Sequence, residues 1–162
     1  MSNEITKWAY DESIITELGD KRLTNRLVKL TARFSDSPES PINQACQNWA
    51  ETKAAYRFFN NDNVSYDRIL TGHVQMTKER CKEYSTILAV QDTSYFNYSP
   101  HHKTTGLCSL TKREGINKRE LVAMGLIMHS TLAVSPDGLP LGILNQKIYS
   151  RDPVPEEKLS IK

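Results

Sequence analysis

The residue best placed for chemistry in this chain is an acid at the end of an apolar run. Ile87-Leu88-Ala89-Val90 leads through Gln91 into Asp92, followed by Thr93 and Ser94. Unbroken apolar runs mark central strands covered on both faces, where a carboxylate stays ionised only beside a metal, a cation or strong hydrogen bonds. The competing reading is local, an Asp that ends a strand and caps the next turn through its own side chain. Thr93 and Ser94 are close enough to orient Asp92 by hydrogen bonding, but a nucleophilic role needs a neighbouring base that the sequence does not identify. His129 falls mid-strand and reads as structural. His101-His102 falls in a loop, and two adjacent histidines alone make a poor metal site.

Clustered cations are the second chemical feature. Residues 21–33 hold Lys21, Arg22, Arg26, Lys29 and Arg33 with no acid among them, and residues 112–119 hold Lys112, Arg113, Lys118 and Arg119 against Glu114. The net charge of +2 averages over such regions. Clustering, rather than total charge, is the footprint of a polyanionic partner. Arg22, Arg26, Lys29 and Arg33 recur at helical spacing, one residue ahead of Leu23, Leu27, Leu30 and Phe34. The apolar stripe faces a core, and the basic stripe lies roughly 100° round the same helix. Solvated charged faces normally mix signs; this one does not.

These features sit on two kinds of element. Asp11 to Leu18 predicts a short helix stopped by Gly19, and Asp20 caps the longer basic helix. Ser40-Pro41 gives a cap followed by proline at the first helical position, opening a helix to about Phe59. Its apolar side is read as Ala45, Trp49, Tyr56 and Phe59, with Lys53 and Arg57 one turn apart; Trp8, Trp49 and Tyr56 are expected in the core. Asn60 to Asn63 breaks the pattern, and Ser65 caps a further helix from Tyr66 to about Glu83, with Gly72 a soft spot inside it. After residue 84 the pattern becomes strand-like. Ile87–Asn97, Leu121–Val134 and Leu139–Tyr149 read as three strands, the last two joined by a Pro136-Asp137-Gly138 hairpin turn. The polar, basic stretch from His101 to Glu120 reads as a long loop. The fold class is therefore α+β, helices over residues 1–84 and antiparallel strands over 85–162.

At 162 residues with 38% hydrophobic content the chain is long enough for a sizeable core. No run of eighteen apolar residues or secretory leader is present, so no membrane role is expected. Cys46, Cys81 and Cys108 are odd in number and lack zinc-like spacing; they read as reduced thiols in a cytoplasmic protein.

Several motifs then coincide in order. Leu18-Gly19-Asp20-Lys21-Arg22-Leu23-Thr24-Asn25-Arg26-Leu27-Val28 resembles the signature that opens the DNA-binding domain of transposon-Five-like transposases. Ala54-Ala55-Tyr56-Arg57-Phe58-Phe59-Asn60 is similar to that domain's second signature. Val90-Gln91-Asp92-Thr93-Ser94 resembles the family's first catalytic strand, and Gly106-Leu107 sits where a similar pair follows it. His129-Ser130-Thr131-Leu132-Ala133 and Leu139-Pro140-Leu141-Gly142-Ile143-Leu144 resemble the next two strands.

The resemblance implies a bacterial cut-and-paste insertion-sequence transposase with an RNase H-like domain, in which two Asp and one Glu hold two divalent metals. Such a pair activates water or a DNA 3′-hydroxyl and stabilises the leaving oxygen. Magnesium suits all-carboxylate ligation, and Asp92 matches the first acid and metal ligand. Arg22, Arg26 and Arg57 fall at positions associated with gripping double-stranded transposon ends; Lys29, Arg33 and Lys53 extend the candidate DNA face. Leu23 departs from a pattern that often has a second basic residue there. The chain stops at Lys162, before the family's second Asp and Glu, and neither Asp137 nor Asp152 stands in for them. The expectation is thus an N-terminal transposase portion carrying three strands of an incomplete RNase H-like domain, binding DNA in the bacterial nucleoid and catalytically incomplete alone, with weak magnesium binding. One alternative is a standalone DNA-binding inhibitor of a full-length transposase, acting by occupying ends or by forming mixed oligomers with it. Another is a small metal-dependent nuclease using Asp92 in an oligomer.

Overall fold

The computed structural model describes residues 2–101, 103–114 and 120–150. Five helices come first: α1 (Ser2–Ser13), α2 (Lys21–Asp36), α3 (Ile42–Ala45), α4 (Trp49–Phe59) and α5 (Tyr66–Cys81). Four strands follow: β1 (Leu88–Asn97), β2 (Cys108–Glu114), β3 (Glu120–Val134) and β4 (Pro140–Tyr149). The α+β order expected from sequence is present, with differences in four elements.

The first helix lies earlier than predicted. It ends at Ser13, and the β-branched run Ile14-Ile15-Thr16 leaves it rather than continuing it. Leu18 then enters the core from a non-helical segment, only 1% exposed. Asp20 caps α2 as expected, its Oδ1 accepting the Arg22 backbone N–H at 2.8 Å. Leu27 and Leu30 of α2 are buried with Leu18, Cys46, Ala55 and Phe58, and Leu23 and Phe34 pack against that cluster. The apolar stripe faces inward as read.

The third predicted helix is split in two. Four residues, Ile42–Ala45, are helical, with Pro41 at the cap instead of the first helical position. Asn48 then starts α4 afresh by accepting the Glu51 backbone N–H at 2.9 Å. A side-chain amide that satisfies an orphan N–H stabilises a new helix start more than it does a helix interior. The orientation of α4 also differs from expectation. Its buried positions are Thr52, Ala55 and Phe58, whereas Trp49 and Tyr56 are exposed. Small side chains at Thr52 and Ala55 allow close packing, and the bulky aromatics are displaced to the other side. Trp8 is likewise 46% exposed rather than core.

Between the first two predicted strands lies a strand, not only a loop. Cys108–Glu114 pairs antiparallel with residues 120–125 of β3. Gly125 pairs with both Asn97 of β1 and Cys108 of β2, and residues 127–134 pair with both β1 and β4. Thus β2 and β4 succeed one another along one side of β3, and β1 occupies the other. The β3–β4 hairpin turns at Pro136-Asp137-Gly138 as predicted, with Gly138 at φ 88°. Its closing bond is Gly138 N–H to Ser135 C=O at 3.0 Å.

The long central strand is therefore β3. The Asp92 strand is at a sheet edge among the described residues, with Leu88 and Val90 half exposed. A covered central strand, expected from the apolar run, is not what these residues form. Edge position follows from topology: β3 is long enough to serve three partners, leaving β1 with one.

Helix α5 ties the helices to the sheet. Gly72 lets α1's exit segment approach, since a Cβ there would overlap Thr16 Oγ1. Gly142, at φ 134°, lets β4 approach Thr77, Arg80 and His73. The apparent soft spot at Gly72 is a packing requirement. Glu12, 7% exposed, takes hydrogen bonds from His73 Nδ1 at 2.8 Å and from Arg80. His73 Nε2 accepts the Ile143 N–H at 3.0 Å, and Arg80 Nε donates to the Leu141 carbonyl at 2.6 Å. Burial raises the Glu12 carboxyl's affinity for a proton, but the hydrogen bonds of His73 and Arg80 and the charge of Arg80 more than offset it and hold the group below its ordinary range. Cys46, Cys81 and Cys108 are free thiols. Among the described residues, no helix is long and apolar enough to cross a membrane.

Candidate nucleic-acid interface

The basic stripe of α2 is not uniform once folded. Arg22 is held by its own cap residue, with Nη2 donating to Asp20 Oδ2 at 2.8 Å, yet its side chain is 91% exposed. The guanidinium keeps the Asp20 carboxyl below its usual range. Lys29 is exposed, and Arg26 is partly buried. Arg33 behaves differently. Its Nε and Nη2 donate to the two carboxylate oxygens of Glu51 at 3.2 and 3.3 Å. Those Arg33 hydrogen bonds, against an opposing burial effect, lower the Glu51 proton affinity, with smaller help from the Gln47 N–H and the charge of Arg26. Arg33 thus has a structural partner that a sequence distance of eighteen residues concealed.

Helix α4 supplies the second half of the face. Lys53 and Arg57 are exposed one turn apart. Arg57 lines a shallow depression with Arg22, Arg26 and one acid, the Arg22-paired Asp20, over Leu23 and Phe58 and beside Asn61 and Asn63. The structure therefore brings together Arg22, Arg26 and Arg57, three cations from two helices. Arg33 is drawn off to Glu51. The second basic cluster is not comparable: Lys118 and Arg119 lie outside the described residues, as does Asp152.

Asp92 stands elsewhere, on β1. It pairs in register with Ser130 of β3, which pairs with Gln146 of β4, so these three share one sheet face. Gln146 Nε2 donates to Ser130 Oγ at 2.9 Å, and the Tyr66 hydroxyl of α5 reaches Gln146 Oε1 at 2.7 Å. Burial of Tyr66 raises the pKa of its hydroxyl, so it remains a donor at neutral pH. On the opposite face, Thr93 Oγ1 lies 2.6 Å from His129 Nδ1, and His129 Nε2 lies 2.9 Å from the Tyr149 hydroxyl. Thr93 therefore turns to His129 rather than orienting Asp92.

The hollow around Asp92 also holds Asn145 and Lys147, with no second carboxylate in its lining among the described residues. Among the described residues there is no cluster of three His, Cys, Asp or Glu side chains able to hold a metal. A metal pair needs several anionic oxygen ligands. The described residues do not fit one.

Residues 5–64 match a family model described as transposase DNA-binding. This part of the chain is a transposase DNA-binding domain. The match spans α2, α3 and α4 and most of α1, so the domain contains Arg22, Arg26, Lys29, Arg33, Lys53 and Arg57. It ends between α4 and α5, before the Asp92 strand. DNA is accordingly a partner of the domain, and its cation-bearing depression faces outward.

Proposed function

We propose that this chain is the end-binding, N-terminal portion of a cut-and-paste DNA transposase, with the DNA-binding part running to about residue 84. The observation that carries the reading is the convergence of Arg22, Arg26 and Arg57 on one depression within the transposase DNA-binding domain. Three guanidiniums so placed suit duplex phosphates, with Arg22 also able to approach a base edge because its side chain is exposed. Lys29 and Lys53 flank them. The sheet is, in this reading, the beginning of an RNase H-like catalytic domain, and Asp92 the first of its acids. Magnesium is the metal of this reading, and it requires carboxylates additional to those described.

A second reading has its own support. With no other carboxylate among the described residues lining the Asp92 hollow, binding without cleavage also fits a DNA-binding inhibitor that occupies ends or joins a full-length transposase in mixed oligomers.

Fluorescence anisotropy against duplex DNA over a salt series tests the main reading. Replacing Arg22, Arg26 and Arg57 together with Ala should weaken binding and reduce the log–log salt slope by about one unit for each phosphate no longer neutralised. An unchanged slope removes this depression from DNA binding.

A further inference from the structure

The outward side of α4 carries two large aromatic side chains that the fold does not use. Trp49 is 77% exposed and Tyr56 is 56% exposed. With Lys53 and Arg57 they occupy an arc of about 100° on a regular helix. The only acid on α4 is Glu51, which points the other way, to Arg33 and the Gln47 N–H. The resulting face is aromatic and cationic, without an acid. Through Arg57 it is continuous with the depression formed by Arg22 and Arg26.

We infer that this face is an aromatic extension of the DNA interface, with Trp49 and Tyr56 packing on deoxyribose and base-edge surfaces of duplex DNA beside a phosphate contact from Lys53. The inference rests on the DNA-binding reading above and adds to it a second kind of interaction. Charge complementarity selects the occupant. An aromatic surface studded only with cations fits a polyanion whose sugars and thymine methyls present apolar patches between phosphates. Aromatic packing of this type releases few counterions, so its share of the affinity should be insensitive to salt. Arginine–phosphate pairing behaves oppositely. Thymine methyls also offer a route to sequence preference that the arginine depression does not need.

Trp8 and Trp49 are the only tryptophans, so Trp8→Phe leaves Trp49 as a single reporter. In that variant, a 30-base-pair A·T-rich duplex should shift Trp49 emission and protect it from acrylamide quenching at stoichiometric occupancy. The double replacement Trp49→Ala with Tyr56→Ala should lose roughly tenfold or more in affinity at every salt concentration while keeping the log–log slope. Both residues are exposed, and circular dichroism checks that the helix persists. Should Trp49 stay accessible in the bound complex, with the double variant binding as tightly as the unaltered chain, the inference is overturned and the arginine depression stands. Loss of a protein dimer on Trp49 replacement, with DNA affinity intact, overturns it in favour of self-association. If the unaltered chain binds no duplex at all, the proposed function falls with it.

Discussion

Arg26 and Arg33 have the same residue type on the same helix, and their sequence spacing offers no way to rank them. The fold does. Arg33 is engaged by both oxygens of Glu51, whereas Arg26 shares a depression with Arg22 and Arg57. The Arg33–Glu51 pair is partly exposed on both sides, so its contribution to stability is modest, about 0.5–1 kcal/mol. Arg33→Ala should therefore lower stability slightly in urea unfolding and barely change the salt slope of DNA binding. Arg26→Ala should do the reverse. Equal effects of the two replacements on the slope would contradict this division of roles. The same distinction shows what was legible at this scale. Six candidate cations were identifiable because like charge at helical spacing is a local pattern. Which of them is occupied by an acid depended on α4 folding back against α2, and the exposure of Trp49 and Tyr56 depended on which side of α4 met the core.

Element order was read more fully than element position. The β3–β4 hairpin was legible because Pro-Asp-Gly between apolar runs is a local turn instruction. β2 was hidden because Ser109-Leu110-Thr111-Lys112-Arg113-Glu114 has no sustained apolar alternation; it forms a strand because β3 overhangs and offers it a ladder. The α1 boundary was missed where β-branched residues compete with helix continuation. A buried polar network was missed too, since Glu12 lies more than sixty residues from His73 and Arg80 in sequence. That network makes α5 the joint between α1 and β4. Glu12 has a folded pKa below its unfolded value, so its stabilisation is fully present above the ordinary carboxyl pKa of about 4.3 and is lost as pH falls through the folded value. Glu12→Gln should cost about 3 kcal/mol at pH 7, the lower end of the range for breaking a buried pair because Arg80 keeps some access to water. The variant should also show a shallower loss of stability on acidification below the ordinary carboxyl range. Parallel stability–pH curves for the two proteins would rule out Glu12 as the source of that acid limb.

For the molecule as a whole, binding and chemistry are assigned to different parts. The cations and exposed aromatics of the proposed DNA-facing surface belong to α2 and α4, within the matched DNA-binding domain. Asp92 lies on an edge strand of the sheet, with Ser130, Asn145 and Lys147 around it. One exposed carboxylate near an ammonium is poorly suited to holding two divalent ions against their repulsion. Duplex binding should therefore proceed without cleavage, and supercoiled plasmid should stay intact in the presence of magnesium. Asp92→Asn should leave both duplex affinity and unfolding stability nearly unchanged, within about 0.5 kcal/mol, as expected for an exposed group with no hydrogen-bond partner among the described residues. Nicking by the unaltered chain that disappears in Asp92→Asn would reverse the argument. Ligands for a metal at Asp92 would then have to come from a second subunit or from residues outside those described, and a small metal-dependent nuclease would replace the end-binding portion as the better account. Nicking that survives the replacement would instead locate the activity away from Asp92, where the Thr93–His129–Tyr149 row on the opposite sheet face is the next group to alter.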